Sequence, residues 1–346
     1  MKTKKEKSVK IKHCRQPATV KRIFKAGVTE HRRNAILSSS LKWVNGTEIT
    51  YMFIEGAESQ KKVVRQAFQI WKKLGIGISF KEVSTKEDSL VRIGFDHKED
   101  SWSWVGREIL DAAKNERTMN FGIDLVKDAE GMATALHEIG HAIGFQHEHQ
   151  SPFSGIEWDK EAVYKEFSGP PNKWSKKEIN SNIIDKMPAN QVKGTAWDPK
   201  SIMEYEFGAG LVLEPAAYRP GIFPPGIISA NDIKGVKSFY PPISKKSKLQ
   251  LHKSVTINAG TGGQSDFIFT APSTKKYTFQ TVGKLDTVMV ISEKTKTETY
   301  YMAGDDDSGL EKNAKIALPL VKGRNYLVNV RVMYAPADQS GSLVVS

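Results

Sequence analysis

Four histidines lie within thirteen residues, in the segment HEIGHAIGFQHEH from His137 to His149. Histidine is the commonest metal ligand in proteins, and a catalytic zinc site uses three protein ligands and keeps one position open. The segment therefore holds one histidine more than such a site needs. On a helix, His137 and His141 would project from the same side, because residues four apart are separated by about 40° around the axis and about 6 Å along it.

The other two histidines could not join that pair on a continuous helix. His147 would lie about 9 Å beyond His141, and His149 about 12 Å beyond it. Gly144 can reverse the chain, because glycine adopts the positive φ of a helix C-terminus without steric cost. In an extended return segment His147 and His149 would point to the same side, so spacing alone does not choose between them.

A carboxylate follows the first histidine at once, where it can contact a water on the metal. Zinc lowers the pKa of such a water, and a carboxylate can accept its proton. The pattern H-E-x-x-H-x-x-G-x-x-H is matched by His137, Glu138, His141, Gly144 and His147. These residues indicate a hydrolytic zinc site with Glu138 as the general base.

This motif resembles that of the metzincin metalloproteases, and the resemblance favours His147 over His149 as the third zinc ligand. The segment SIMEY resembles the methionine turn of that group, with Met203 beneath the metal. Its Ser-x-Met-x-Tyr form, and the HEH at the third ligand, are similar to astacin. By that resemblance Tyr205 binds the metal in the resting site and stabilises the oxyanion once substrate binds.

The resemblance to bacterial and fungal astacin-like proteases covers about residues 41 to 241, through WSWVG, TMNFGID, HEHQSP and DPKSIMEY. It implies a zinc endopeptidase that cleaves protein or peptide substrates, which would lie extended along the strand TMNFGI. Two features depart from the animal enzymes. Cys14 is the only cysteine, so no intramolecular disulfide can form, and Glu204 stands where a histidine is common.

Two alternatives stay open. A zinc protease with a more distant third ligand would use Glu161 or Glu166, but it leaves Gly144, His147 and Met203 unexplained. A catalytically silent zinc-binding protein could instead serve adhesion or surface binding. The intact general base and tyrosine argue against this second alternative.

The basic charge is concentrated at the N-terminus, in residues 1–40, which we interpret as a tail or a pro-segment. Eight Lys and two Arg against one Glu give residues 1–25 a charge of +9, out of +12 for the chain. These residues include almost no aromatic side chains, so we expect no nucleic-acid binding.

Cys14 could hold the enzyme latent by placing a thiolate on the open zinc position, as in some metzincins. Glu148 matches the astacin glutamate that anchors an N-terminus freed by processing.

The hydrophobic pattern predicts an α+β fold in two domains. A metzincin-like catalytic domain, with a twisted mixed sheet, an active-site helix and a Met-turn, is expected at 41–243, a linker at 244–249, and an all-β sandwich at 250–346. Strands are predicted at EITYMFIEG, ISFKEV, LVRIGFD and TMNFGID, and helices at SQKKVVRQAFQIWKKLG, DAEGMATALHEIGHAIG, DKEAVYKEF and SANDIKGVKSFY.

The second domain resembles the bacterial pre-peptidase C-terminal domain in its runs SDFIFTAPSTKKYTFQT, KLDTVMVIS and KGRNYLVNVRV. Asp305, Asp306 and Asp307 could bind calcium there, since clustered carboxylates suit hard cations.

No apolar run approaches the roughly 20 residues needed to cross a bilayer, and the N-terminus lacks a secretory signal. We therefore expect a monomer without a membrane span, secreted or exported by a route not visible in the sequence.

Overall fold

The structure is a computed structural model that describes residues 13–17, 41–189, 196–242, 246–258, 260, 262–295, 299–336 and 339–346. Within these residues the α-helices are α1 (Glu58–Lys73), α2 (Gly131–Ala142), α3 (Lys160–Ser168), α4 (Lys176–Ile179) and α5 (Ala230–Phe239). The first seven strands are β1 (Glu48–Phe53), β2 (Ser79–Glu82), β3 (Val91–Gly94), β4 (Trp102–Ser103), β5 (Met119–Asn120), β6 (Glu157–Trp158) and β7 (Val212–Glu214). The later strands are β8 (Ser247–Lys248), β9 (Val255–Ile257), β10 (Gln264–Thr270), β11 (Lys275–Gly283), β12 (Asp286–Lys294), β13 (Thr299–Asp305), β14 (Lys315–Leu320), β15 (Asn325–Tyr334) and β16 (Gly341–Val345). The predicted α+β class is confirmed.

The N-terminal half is built on a five-stranded mixed sheet in the order β2-β1-β3-β5-β4. Neighbouring strands are parallel except for β4, which runs antiparallel to β5 at one edge. The expectation that substrate pairs with TMNFGI is wrong for β5, because its two edges are already paired with β3 and β4. Among the described residues, β4 is the edge strand on this side of the sheet.

Helix α1 covers this sheet with its apolar side, which includes Val64, Phe68 and Trp71. The Trp71 indole donates a hydrogen bond to the carbonyl oxygen of Leu136 in α2, at 3.1 Å. These contacts fix α2 against the core, so the residues on its opposite side are held in place. The predicted helices at both segments are confirmed.

Helix α2 ends where the glycine pattern predicts. Gly144 has φ of 101°, and its N–H donates to the carbonyl oxygen of His141 at 2.7 Å. The next N–H, of Phe145, donates to the carbonyl oxygen of Gly140 at 3.0 Å. These bonds satisfy the last carbonyls of the helix and turn the chain back toward His137 and His141.

Helix α5 ties the methionine turn to the fold. Ser229 and Asp232 form a capping box at its N-terminus. The Asp232 carboxylate also accepts hydrogen bonds from the Ser201 hydroxyl, at 2.6 Å, and from the Ile202 N–H, at 2.8 Å. One acidic side chain therefore caps a helix and holds the turn that lies under the site.

The C-terminal half is a sandwich of two sheets, in the orders β13-β12-β15-β10-β8 and β14-β11-β16-β9. Both sheets contribute to one apolar core, which includes Phe269, Tyr277 and Phe279. Strand β8 lies in the segment expected to be a linker, and it pairs with β10, so this sandwich begins at Ser247. Its resemblance to the pre-peptidase C-terminal domain stays a prediction.

The two halves are in direct contact. Val44 is buried against Val288, Val290 and Met333 of the sandwich, and the Arg331 guanidinium donates to the carbonyl oxygen of Phe239. Among the described residues, no helix is both long and apolar enough to span a membrane.

Gly140 allows α2 to approach the methionine turn closely. A Cβ atom at this position would overlap the Sδ atom of Met203, which is buried. We expect Gly140→Ala to lower the free energy of unfolding by about 1–2 kcal/mol, since overpacking exceeds the gain in helix propensity. Urea unfolding with a chelator present measures this effect. Gly208→Ala, with nothing within 4 Å of the added Cβ, is the control. An equal midpoint for both variants would contradict the close approach.

Candidate metal centre

Three buried histidines converge from two directions. His137 and His141 lie one turn apart on α2, and their ring centroids are 4.7 Å apart. The chain that returns after Gly144 brings His147 to within 4.6 Å of His141 and 5.3 Å of His137, measured between ring centroids. Both predictions from helix geometry, the pairing on α2 and the reversal at Gly144, agree with this arrangement.

The Nδ1 atom of each ring faces an oxygen. His137 Nδ1 lies 2.8 Å from the carbonyl oxygen of Ile202, and His141 Nδ1 lies 2.8 Å from that of Phe145. His147 Nδ1 lies 3.3 Å from Gln150 Oε1. Because these oxygens accept, the proton of each neutral ring is on Nδ1, and the lone pair is on Nε2.

The Gln16 amide nitrogen also lies 3.2 Å from His141 Nδ1. The Phe145 carbonyl is nearer and can only accept a hydrogen bond, so it decides the position of the proton. Gln16 has a better partner in Gln146 Oε1, at 3.1 Å.

The Nε2 lone pairs converge in a way that suits a cation. His141 Nε2 and His147 Nε2 are only 3.0 Å apart, and His137 Nε2 is buried without a hydrogen-bond partner among the described residues. Burial lowers the pKa of His137 to about 4, and it also holds the pKa of the other two rings well below the usual range. Three neutral imidazoles with convergent lone pairs fit a zinc ion.

Cys14 completes this donor set. Its ligand atom and those of His137, His141 and His147 all lie within 4.8 Å of one another, and all four residues are buried. Among the described residues this is the one such group of metal-binding side chains. Imidazole nitrogen and thiolate sulfur are both common zinc ligands, and four of them match the usual coordination number of zinc.

The general-base candidate lies against the same thiol. Glu138 is fully buried, and one of its carboxylate oxygens, Oε2, lies 3.6 Å from Cys14 Sγ. The other, Oε1, has no hydrogen-bond partner among the described residues. Burial raises the pKa of Glu138 to about 8. This carboxylate therefore faces the donor set, as the motif predicts.

Tyr205 is also at the centre. Its hydroxyl donates a hydrogen bond to the carbonyl oxygen of Cys14, and its ring lies edge-on to that of His147, at 4.3 Å. Burial and the nearby Cys14 and Glu138 hold the pKa of the Tyr205 phenol well above its usual range, so the group remains a donor.

His149, the fourth histidine, is buried beside the donor set but is not part of it. Its Nε2 lies 2.9 Å from the carbonyl oxygen of Asn182, so this nitrogen carries a proton. Its Nδ1 lies 3.4 Å from the Glu204 carboxylate. Its ring stacks on that of His147 at 5.4 Å between centroids.

Glu204, which departs from the common sequence of this turn, has several partners. It accepts a hydrogen bond from the Trp197 indole at 2.6 Å and from the Tyr205 N–H at 2.9 Å. With His149 it forms a buried polar cluster that supports the turn. The motif did not reveal this role, because Trp197 and His149 lie outside it and are brought to Glu204 by the fold.

Met203 lies beneath α2, as the turn predicts, and its carbonyl oxygen accepts the Glu148 N–H at 3.0 Å. Glu148 Oε1 in turn accepts the Asp198 N–H at 2.9 Å. Burial raises the pKa of Glu148 to about 7, and the nearby carboxylates of Glu204 and Asp232 act in the same direction. Its suggested role in anchoring a freed N-terminus stays a prediction.

Other candidate residues lie apart from the centre. Glu161 and Glu166 are exposed on α3 and do not belong to the donor group, which His147 completes instead.

The acidic turn at Asp305, Asp306 and Asp307 does not support the calcium prediction, because its carboxylates contact protein donors. These contacts join Asp305 to the Ser308 and Lys315 N–H groups, Asp306 to Arg107, and Asp307 to Lys312.

The two neighbouring histidines give a matched pair of variants. We expect His147→Ala to lose zinc, because it removes an Nε2 lone pair from the donor set. His149→Ala should retain stoichiometric zinc, since its Nε2 is bonded to a carbonyl. Zinc content after dialysis, measured by atomic emission, distinguishes them. Zinc retained by His147→Ala and lost from His149→Ala would reverse the assignment.

Comparisons with known proteins agree with this geometry. Bone morphogenetic protein 1 of Xenopus laevis is 27% identical over 191 residues, which are 55% of this chain and 23% of that protein. Astacin-like metalloprotease toxin 1 of Loxosceles intermedia is 24% identical over 236 residues, covering 64% of this chain and 80% of the toxin. The chain thus spans about a quarter of the Xenopus protein and most of the toxin.

The solved structure of myroilysin superposes with a TM-score of 0.54 and is 33% identical, covering 58% of this chain and 96% of that chain. Residues 35–210 match the sequence profile of the astacin family of peptidases. This match spans half of the chain and contains the three histidines, the glutamate and the methionine turn. The chain belongs to the astacin family of zinc metalloendopeptidases.

Proposed function

We propose that the chain is a zinc-dependent endopeptidase that hydrolyses protein or peptide substrates with His137, His141 and His147 as the zinc ligands and Glu138 as the general base. The observation that carries the proposal is the convergence of three Nε2 atoms, each on a ring whose Nδ1 faces an acceptor. This arrangement fixes the tautomer that a zinc ligand needs.

When bound, zinc supplies Lewis acidity, which lowers the pKa of a water and polarises the substrate carbonyl. Glu138 would accept the proton of that water and then pass it to the leaving amine. Two properties of this side chain support the role. Its Oε1 has no hydrogen-bond partner among the described residues, and the side chain lies beside the donor set without belonging to it.

Tyr205 would donate a hydrogen bond to the developing oxyanion. Its hydroxyl is a donor at the centre, where it now contacts the Cys14 carbonyl, and a substrate carbonyl in the same place would receive the same bond. Oxyanion donors in other hydrolases contribute about 3–4 kcal/mol to transition-state stabilisation.

The N-terminal segment would keep the enzyme latent. Cys14 lies within reach of the metal-binding atoms of all three histidines, and its main chain contacts Tyr205. Burial and the adjacent Glu138 hold the pKa of the Cys14 thiol well above its usual range. A thiolate in this environment needs a cation beside it, so zinc and Cys14 would stabilise each other.

The C-terminal sandwich would bind substrate or a surface, or assist export. Secretion and the monomeric state are part of this proposal, and the toxin among the relatives is consistent with action outside the producing cell.

Glu138→Gln is the direct test of the general base. It should keep the zinc, because Glu138 is not in the donor set, and it should lower kcat/KM for casein by about 10²–10⁴. Glu161→Gln, which changes an exposed carboxylate on α3, is the matched control and should cleave normally. A zinc chelator should abolish the cleavage. Full activity of Glu138→Gln would contradict the role.

Latency is tested by removing the thiol. Cys14→Ser should cleave casein faster than the unchanged chain, by roughly tenfold or more if the site is open in less than a tenth of molecules. A chain that begins at residue 41 should show a similar gain. Zinc content is measured alongside, so that a change in metal loading is recognised. If neither change raises activity, Cys14 does not hold the enzyme latent.

A further inference from the structure

Residues 13–17 pass the donor set and run beside β4, and we call this region the cleft. The Arg15 N–H donates to the carbonyl oxygen of Ser101, next to β4, at 3.0 Å. Further main-chain bonds join the Gln16 N–H to Asn182 Oδ1 at 3.0 Å and the His13 N–H to Asn172 Oδ1 at 3.1 Å. The side-chain pockets that this segment fills are therefore pockets that a substrate in the cleft can meet.

The Arg15 side chain, which is 38% exposed, contacts two carboxylates. Its Nη1 lies 2.9 Å from Glu178 Oε1, and its Nε lies 3.5 Å from Asp100 Oδ2. The Asp100 side chain is only 8% exposed, whereas the Glu178 side chain is 36% exposed. One carboxylate is thus nearly removed from water, where a cation beside it gains the most.

Both carboxylates are held by neighbours other than Arg15. The Trp174 indole donates to Asp100 Oδ2 at 3.0 Å. The N–H and the hydroxyl of Ser175 each donate to Glu178 Oε2 at 2.8 Å, within the capping box of α4. The two acidic groups are therefore positioned before a guanidinium arrives, which lowers the entropic cost of binding one.

The position of Arg15 relative to the metal centre follows from its neighbour Cys14. Arg15 is adjacent to Cys14, whose sulfur lies within reach of the metal-binding nitrogens. His13, on the other side of Cys14, lies among the aromatic rings of Phe167, Tyr205 and Phe207.

We propose that Asp100 and Glu178 form a subsite for an arginine or lysine side chain at a residue next to the scissile bond. The inference rests on the proposed peptidase function. Arginine should be preferred to lysine, because the planar guanidinium can contact both carboxylates at once.

The test uses the full zinc-loaded chain with Cys14→Ser and Arg15→Ala, so that the N-terminal segment no longer fills either place. Quenched-fluorescence peptides carry Arg, Lys, citrulline or Glu at each of the two residues that flank the cut bond. Citrulline keeps the shape of arginine without its charge. At one of the two positions, we expect kcat/KM to be at least about tenfold higher for Arg than for citrulline.

Variants of Asp100 and Glu178 test whether these two carboxylates cause the preference for arginine. Asp100→Asn and Glu178→Gln should each reduce the ratio of Arg to citrulline several-fold, whereas Glu178→Lys should shift the preference toward Glu. Glu161→Gln is the control and should keep the ratio. Cleavage with a ratio near one at both positions, or a ratio that neither subsite variant changes, overturns the subsite.

A binding measurement separates failure of the subsite from failure of the peptidase. Fluorescence anisotropy with the peptides His-Ser-Arg-Gln-Pro and His-Ser-citrulline-Gln-Pro on the same protein should show at least about tenfold tighter binding of the arginine form. If no peptide is cut, the peptidase proposal is wrong, and this binding ratio decides the subsite. Equal binding of the two peptides rejects it.

Discussion

The arrangement of the whole site depends on the tautomer of three buried imidazoles. Each ring must carry its proton on Nδ1, so that the Nε2 lone pairs can meet at one point. The acceptors that enforce this come from three different places: the methionine turn at Ile202, the loop after α2 at Phe145, and the return segment at Gln150. The metal centre therefore exists only when these separate segments are all folded.

Because the three rings must be held in this tautomer, several elements of the fold contact the methionine turn. Asp232 caps α5 and at the same time binds the N–H of Ile202, the residue whose carbonyl orients His137. Gly140 gives α2 the room to approach Met203. These contacts convert a short motif on one helix into a rigid ligand set, since each ligand is held by a second group.

The sequence predicts the ligands better than it predicts what surrounds them. Helical periodicity places His137 and His141 together, but His147 and His149 stack on each other and differ mainly in the partners of their rings. Asn182, which bonds His149, is 33 residues away and belongs to no motif. The edge strand β4 has two residues, too few for an alternating pattern, so the sequence points to its neighbour as the substrate strand. The suggestion that Cys14 reaches the zinc comes from the resemblance to other metzincins, and the fold brings it to the three histidines from more than 120 residues away.

The central claim is that three histidines and Cys14 surround one zinc ion in the full chain. X-ray absorption at the zinc edge of the purified protein tests it most directly. We expect one sulfur at about 2.3 Å and three nitrogens at about 2.0–2.1 Å, with the sulfur contribution lost in Cys14→Ser. A first shell that contains only nitrogen and oxygen in the unchanged chain would contradict it.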